Sequence, residues 1–326
     1  MGRYPFLTLL SAFLEDVRPY YAEVSHGNMS RKLRQIHGIL QELKTNDPYL
    51  STNPLFIGER ELGALLDYMN ARTGHFSKPM KPGTQVCLLG HLSVFLEYNG
   101  NAIVSKMRKK KLIRVRCGSR GPLPCPSEDT IEDTVAALEE AVTRGDLKAF
   151  GVLGLLLLGA YAGMRPREAR LATIGDLDTR DWTLVVMHPK GERTWGRTRR
   201  TKVVNGGRSA LESFLRLRAE ELQKRGIPDS PMVPLVPCFR SNGSVAHWSG
   251  TYALQVKKKL EKSLGLAFDF QMHRRAFGMN ALDRNVRLDS ISVVMGHSST
   301  KTTELYYARR KEQHALNDLE DAWSAS

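Results

Sequence analysis

The stretch Met295–Arg310, MGHSSTKTTELYYARR, sets a glycine-histidine pair ahead of two adjacent tyrosines, with His297 nine residues before Tyr306. Neighbouring residues on a helix diverge by about 100°, so Tyr306 and Tyr307 cannot both face one pocket. A tyrosine met alone in such a run is a core residue. Other parts of the chain change that reading. Arg165 stands in GMRPRE, where Pro166 suits the first position of a short helix and leaves Arg165 at its start. Lys190 stands in HPKGER, between WTLVVMH and RTKVV, which both read as strands. Arg274 and Arg275 stand in QMHRRAFG, an apolar helical context in which a guanidinium needs an anionic partner. For any one of these arginines, an internal salt bridge to a carboxylate such as Glu168 is the plain explanation.

With 326 residues the chain has room for two domains, and its 41% apolar and 25% charged composition fits an ordinary folded protein. The net charge of +14 suits a polyanionic partner, nucleic acid ahead of an anionic membrane surface. MGRYPFLTLLSAFLEDV carries acids within its apolar pattern and no small-residue cleavage site, unlike a signal peptide, and Tyr4, Pro5 and Phe6 make a poor myristoylation context. The most apolar run, Phe150 to Gly163, is shorter than the roughly 18 residues a membrane span needs and reads as a buried helix. Cys87, Cys117, Cys125 and Cys238 are irregularly spaced, which argues against structural zinc and disulfides. A reducing, cytoplasmic setting, in association with the nucleoid, is expected.

Residues 1–105 read as a compact helical domain, with apolar residues at three-and-four spacing in each segment. Basic residues then crowd Lys106, Arg108, Lys109, Lys110, Lys111, Arg114 and Arg116 before a Gly- and Pro-rich stretch, so 106–123 is expected to be an interdomain linker. Such a run is either a solvated tail or a strap along a phosphate backbone. From residue 124 to 326 the pattern is mostly helical with a small antiparallel sheet, Ser127 capping the first helix. A tail helix is expected from about residue 311, with Leu316, Leu319 and Trp323 at helical spacing. The fold class is therefore mainly α with a small antiparallel β-sheet, in two domains.

Over roughly residues 124 to 310 the four boxes, in order and approximate spacing, resemble the tyrosine recombinase family of phage-type integrases and chromosome-dimer resolvases. GMRPRE matches the family's first arginine motif at Arg165 and Glu168, HPKGER its hairpin lysine at Lys190, QMHRR its second box at Arg274, and MGHSSTKTTELY its last box at His297 and Tyr306. Two positions depart from the pattern. Gln271 stands where the family has a histidine three residues before the second arginine, and Arg275 where it has a histidine just after. Helical spacing groups Gln271 with Arg274 and turns His273 roughly 100° away, so Gln271 is expected at the site, with His273 the alternative. The paired arginines look most like archaeal and mobile-element members.

The resemblance implies a helical core-binding domain and a catalytic domain clamping double-stranded DNA. It implies that Tyr306 attacks the scissile phosphate to give a 3′-phosphotyrosyl bond and a 5′-hydroxyl, with Tyr307 packing or touching DNA. Arg165 and Arg274 would hold the non-bridging oxygens, Lys190 would protonate the leaving oxygen, His297 would hydrogen-bond the phosphate, and Glu168 would orient these groups. No ATP, metal or other cofactor is expected. Arg193 and Arg197 in the hairpin around Trp195, together with Arg275, are candidate DNA contacts, with a solvated basic turn as the alternative for the hairpin. A homo-tetramer on two DNA sites, joined by exchange of the tail, is the expected assembly; the alternative is a tail folded onto its own domain. Type IB topoisomerase activity and an inactive DNA-binding protein are the competing functions.

Overall fold

The computed structural model describes residues 5–71, 79–113, 115, 125–192 and 196–297, with 316, 320, 323 and 324 in the tail. Tyr306, Tyr307, Leu319, Arg114, Arg116 and Arg193 lie outside the described residues. Two compact units are distinguished, Met1–Arg120 and Gly121–Ser326.

The first unit is helical: α1 (Pro5–Val17), α2 (Glu23–Asn46), α3 (Glu59–Ala71), α4 (Pro82–Tyr98) and α5 (Ile103–Lys109). Their apolar stripes meet in one core, where Phe6 and Phe13 pack against Phe95 beside Leu33, Ile36 and Leu92. The basic segment does not begin as a linker. Lys106, Arg108 and Lys109 lie on α5, whose Val104 and Met107 are buried in this core, because the same stretch alternates apolar and basic residues at helical spacing. Lys106, Arg108, Lys109, Lys110 and Lys111 are all exposed, and Lys110 pairs with Glu59 at 3.2 Å.

The second unit is built around α7 (Leu147–Ala162), buried over nearly its whole circumference. Around it pack α6 (Glu128–Thr143), α8 (Pro166–Leu171), α9 (Asn205–Lys224), α10 (Gly250–Leu264) and α11 (Phe270–Asp283). The short α12 (Leu288–Met295) packs on α11 through Phe277, Ile291 and Met295. Ser127 accepts a hydrogen bond from Thr130 N, as its sequence context predicts. The sheet is an antiparallel meander of β1 (Leu177–Asp178), β2 (Thr183–Val186) and β3 (Arg199–Lys202), with Val186 opposite Arg199. A second hairpin, β4 (Cys238–Phe239) with β5 (Val245–Ala246), was not expected from the sequence; its signal is the Asn242-Gly243 turn, where Gly243 has φ +81°. Mainly helical structure with small antiparallel sheets is the observed class.

Close packing on α7 relies on missing side chains. A Cβ at Gly151 would lie 2.0 Å from the Trp248 ring, which is buried, stacked on Tyr252 and hydrogen-bonded through Nε1 to Pro237 O. The ring has nowhere to retreat. Gly151→Ala is therefore expected to cost about 1–3 kcal/mol of stability, read as a lower urea midpoint at unchanged slope.

Candidate active site

The turn from α7 into α8 places the first functional side chain. Gly163 ends α7 in the left-handed region (φ +62°), where a Cβ would also strike the Phe277 ring at 2.6 Å. Arg165 then caps α8, with Pro166 at its first position as the sequence predicts. Glu168, one turn on, is 2% exposed and reaches back to accept from Arg165 N (2.8 Å) and Arg165 Nη1 (2.8 Å).

The same carboxylate draws in two more arginines. Arg199 from β3 grips it in a bidentate fork, Nη1 to Oε1 at 3.0 Å and Nη2 to Oε2 at 2.8 Å, and Arg274 Nη1 from α11 stands 3.6 Å from Oε2. Each guanidinium also binds one of three successive carbonyls at the C-terminal end of α12. Arg199 Nε donates to Val294 O (2.8 Å), Arg274 Nη2 to Met295 O (2.5 Å) and Arg165 Nη2 to Gly296 O (2.7 Å). A helix terminus leaves its last carbonyls unpaired and carries partial negative charge, so cations are held there favourably. Arg274 Nη1 takes the Gly163 carbonyl past the end of α7 in the same way (2.5 Å).

His297 follows directly, its backbone N–H donating to Ser292 O. Arg274 Nη2 lies 3.3 Å from His297 Nε2, so Nε2 accepts and the ring proton sits on Nδ1. Burial, reinforced by the charges of Arg274, Arg165 and Arg199, lowers the His297 pKa to about 4 against the pull of Glu168. His297 is neutral at pH 7. Burial on its own would raise the Glu168 pKa, but the hydrogen bond and charge of Arg199, with Arg165, hold it at about 2. Three formal positive charges thus meet one negative charge in this group, which favours an added anion.

Arg165, Glu168, Arg274 and His297 are brought together. Lys190 is exposed on the turn after Pro189, and Arg197 is exposed near the far end of the same hairpin. Gln271 is exposed on the first turn of α11, and among the described residues the hydrogen bonds joining the cluster do not include its side chain. His273 turns into the core at 1% exposure, Nδ1 bonded to Asp269 O (2.8 Å) and its ring edge-on to Phe268. Arg275 is half-buried.

Sequence reasoning missed Arg199. Its signal was the period of β3, where Arg199 shares a face with Thr201, 3% exposed, while Arg200 and Lys202 face solvent. An arginine in phase with a buried face needs an anion.

The Phage integrase family model matches residues 127–314, more than half of the chain and a span that contains every box from Arg165 to Tyr306. The chain belongs to the phage integrase family. The resemblance read from the four boxes is thereby confirmed. Tyrosine recombinase XerC of Pseudomonas fluorescens strain Pf-5 is 29% identical over 187 residues, 57% of each chain, so the match spans little more than half of that relative. Two solved structures share the fold. A XerH site-specific recombinase bound to a palindromic difH substrate gives TM-score 0.63 at 16% identity, covering 95% of this chain and 84% of that one. A lambda integrase dimer bound to a COC′ core site gives 0.60 at 13%, covering 90% and 96%. Among the described residues no helix is long and apolar enough to cross a membrane.

Two outcomes test the electrostatics. Glu168→Gln strands three guanidinium groups around a buried amide and is expected to cost about 3–5 kcal/mol in urea unfolding. Both depressed pKa values also make stability rise with pH. Between pH 6.5 and about 4 the unfolded chain takes up a proton at His297 that the folded chain refuses; from pH 4.5 down to about 2 the unfolded chain does the same at Glu168. Stability should therefore fall steadily on acidification below pH 6.5, and His297→Gln should flatten the part of the curve above pH 4.5.

Proposed function

We propose that the chain is a site-specific DNA recombinase that cleaves and rejoins double-stranded DNA through a 3′-phosphotyrosyl intermediate, most simply as the integrase of a mobile element. The observation that carries this reading is the convergence of Arg165, Arg274 and neutral His297 on one pre-assembled cationic cradle within the family's matched span. In-line attack on a phosphodiester places growing negative charge on the non-bridging oxygens, and guanidinium donors already fixed in place stabilise it without reorganising. Tyr306 is the nucleophile, nine residues past His297 as in the family's last box. Lys190 supplies the proton to the leaving 5′ oxygen. Phosphodiester energy is kept in the covalent bond, so the cycle needs neither ATP nor metal.

Residues 1–105 serve as the core-binding domain, and the exposed cations Lys106, Arg108, Lys109, Lys110 and Lys111, with Arg114 and Arg116, contact the phosphate backbone, helped by Arg193, Arg197 and Arg275 from the catalytic domain. Leu316 and Trp323 are 55% and 77% exposed. Apolar side chains left in water at helical spacing support a tail that docks on a neighbouring protomer, giving a tetramer on two DNA sites. Gln271 hydrogen-bonds the bound phosphate, in place of the histidine common in the family.

Covalent trapping on nicked suicide duplexes, tiled across the DNA flanking the gene, tests this reading. An SDS-resistant adduct formed by the wild type and by Tyr307→Phe, and lost with Tyr306→Phe, is expected. Tight DNA binding with no adduct on any tile would favour an inactive binder, and fast relaxation of a supercoiled plasmid lacking cognate sites would favour a topoisomerase.

A further inference from the structure

The hairpin that carries Lys190 is tied at both ends to α8, the helix that carries the cradle's carboxylate. On the outgoing side Arg167 Nη1 lies 3.4 Å from His188 O and 3.4 Å from Pro189 O, the two carbonyls directly before Lys190. Its Nη2 lies 3.3 Å from Glu192 Oε2, two residues beyond Lys190, and the other oxygen of Glu192 pairs with His188 Nδ1 at 2.9 Å. Arg167 thus straddles Lys190. On the returning side Arg199 holds Glu168, the next residue of α8. Gly196 closes the turn from above: its N–H donates to Gly191 O at 2.7 Å, and a Cβ there would sit 2.3 Å from the Lys190 carbonyl oxygen.

Arg167 has no part in the cradle. Adjacent residues on a helix diverge by about 100°, so Glu168 turns inward to Arg165, Arg199 and Arg274 while Arg167, half-exposed, turns out to the hairpin. We propose that Arg167 is a positioning residue for Lys190, holding the lysine's backbone at a fixed offset from the phosphate cradle through their shared helix. A lysine side chain is long and flexible, so the backbone under it is the part that can be organised in advance. A proton donor must stand within hydrogen-bond reach of the oxygen it protonates, and a wandering loop forfeits that reach.

This rests on the function proposed above, with Lys190 as the donor. In that step the Tyr306 oxygen bonds to phosphorus as its phenolic proton leaves to water, the bond from phosphorus to the 5′ oxygen breaks, and a proton passes from the Lys190 ammonium to that oxygen, leaving a neutral amine. Replacing the 5′ bridging oxygen by sulfur gives a thiolate leaving group of low pKa, which departs without a proton. Sulfur therefore restores variants that fail in proton delivery and leaves others slow.

The test compares adduct formation on a trapping duplex with oxygen or sulfur at that bridging position, for the wild type, Lys190→Ala, Arg167→Ala, Arg167→Lys and, as a cradle control, Arg165→Ala. Arg167→Ala is expected to be about ten- to a hundredfold slow on oxygen and within about threefold of the wild type on sulfur. Arg167→Lys should recover part of the oxygen rate, and Arg165→Ala should stay slow on both. Thermal unfolding checks that the half-exposed substitution leaves the fold intact. An Arg167→Ala rate that is normal on oxygen, or equally slow on both substrates, overturns the proposal. Lys190→Ala that sulfur does not restore removes the lysine from the step and overturns the positioning role alone. No adduct from the wild type on either duplex overturns the recombinase reading itself.

Discussion

Everything at the candidate site depends on one buried carboxylate. Glu168 is 2% exposed, in a setting where an unpaired charge would be prohibitive, and it stays ionised because Arg165 and Arg199 bond to it directly while Arg274 stands close. The dependence is mutual. Each arginine is drawn out of water by the glutamate and then completes its hydrogen bonding on a helix-end carbonyl, so that removing the acid frees three cations at once. A lone internal salt bridge would have consumed the charge; three cations sharing one anion leave an excess that a phosphate can use.

Helix ends do the rest of the organising. Val294, Met295 and Gly296 present consecutive carbonyls, and three arginines from three different elements, the α8 cap, β3 and α11, each take one. Position 296 must be glycine on two counts: its φ of +64° lies in the left-handed region, and a Cβ would meet Arg199 Cδ at 2.9 Å. The glycine before the histidine in the last box is thus a requirement of the arginine packed against it.

Much of this was legible in the sequence because it followed local rules. Pro166 announced the start of α8, Ser127 capped α6, and WTLVVMH and RTKVV read as strands, so the order of residues alone assigned Arg165 to a helix start and Lys190 to a turn. Helical spacing sets His273 on another face from Arg274, and its ring lies buried edge-on to Phe268. What stayed hidden was long-range. Arg199 contacts Glu168 across 31 positions and Val294 across 95, and local pattern says only that such an arginine needs a partner, not which one. The start of the basic segment was misjudged for a related reason: its charges drew attention, while the apolar Val104 and Met107 decided where it packs.

The three carbonyl contacts close the cradle with protein groups alone. A cradle whose cations are held by one carboxylate and three backbone carbonyls is positioned by the fold itself. Under the proposed activity, with the lysine hairpin also held to α8 by Arg167 and Arg199, the moment of strand cleavage would then be governed by the arrival of the nucleophile. Control would lie in the supply of the nucleophile, and the phosphate seat would be set by the fold.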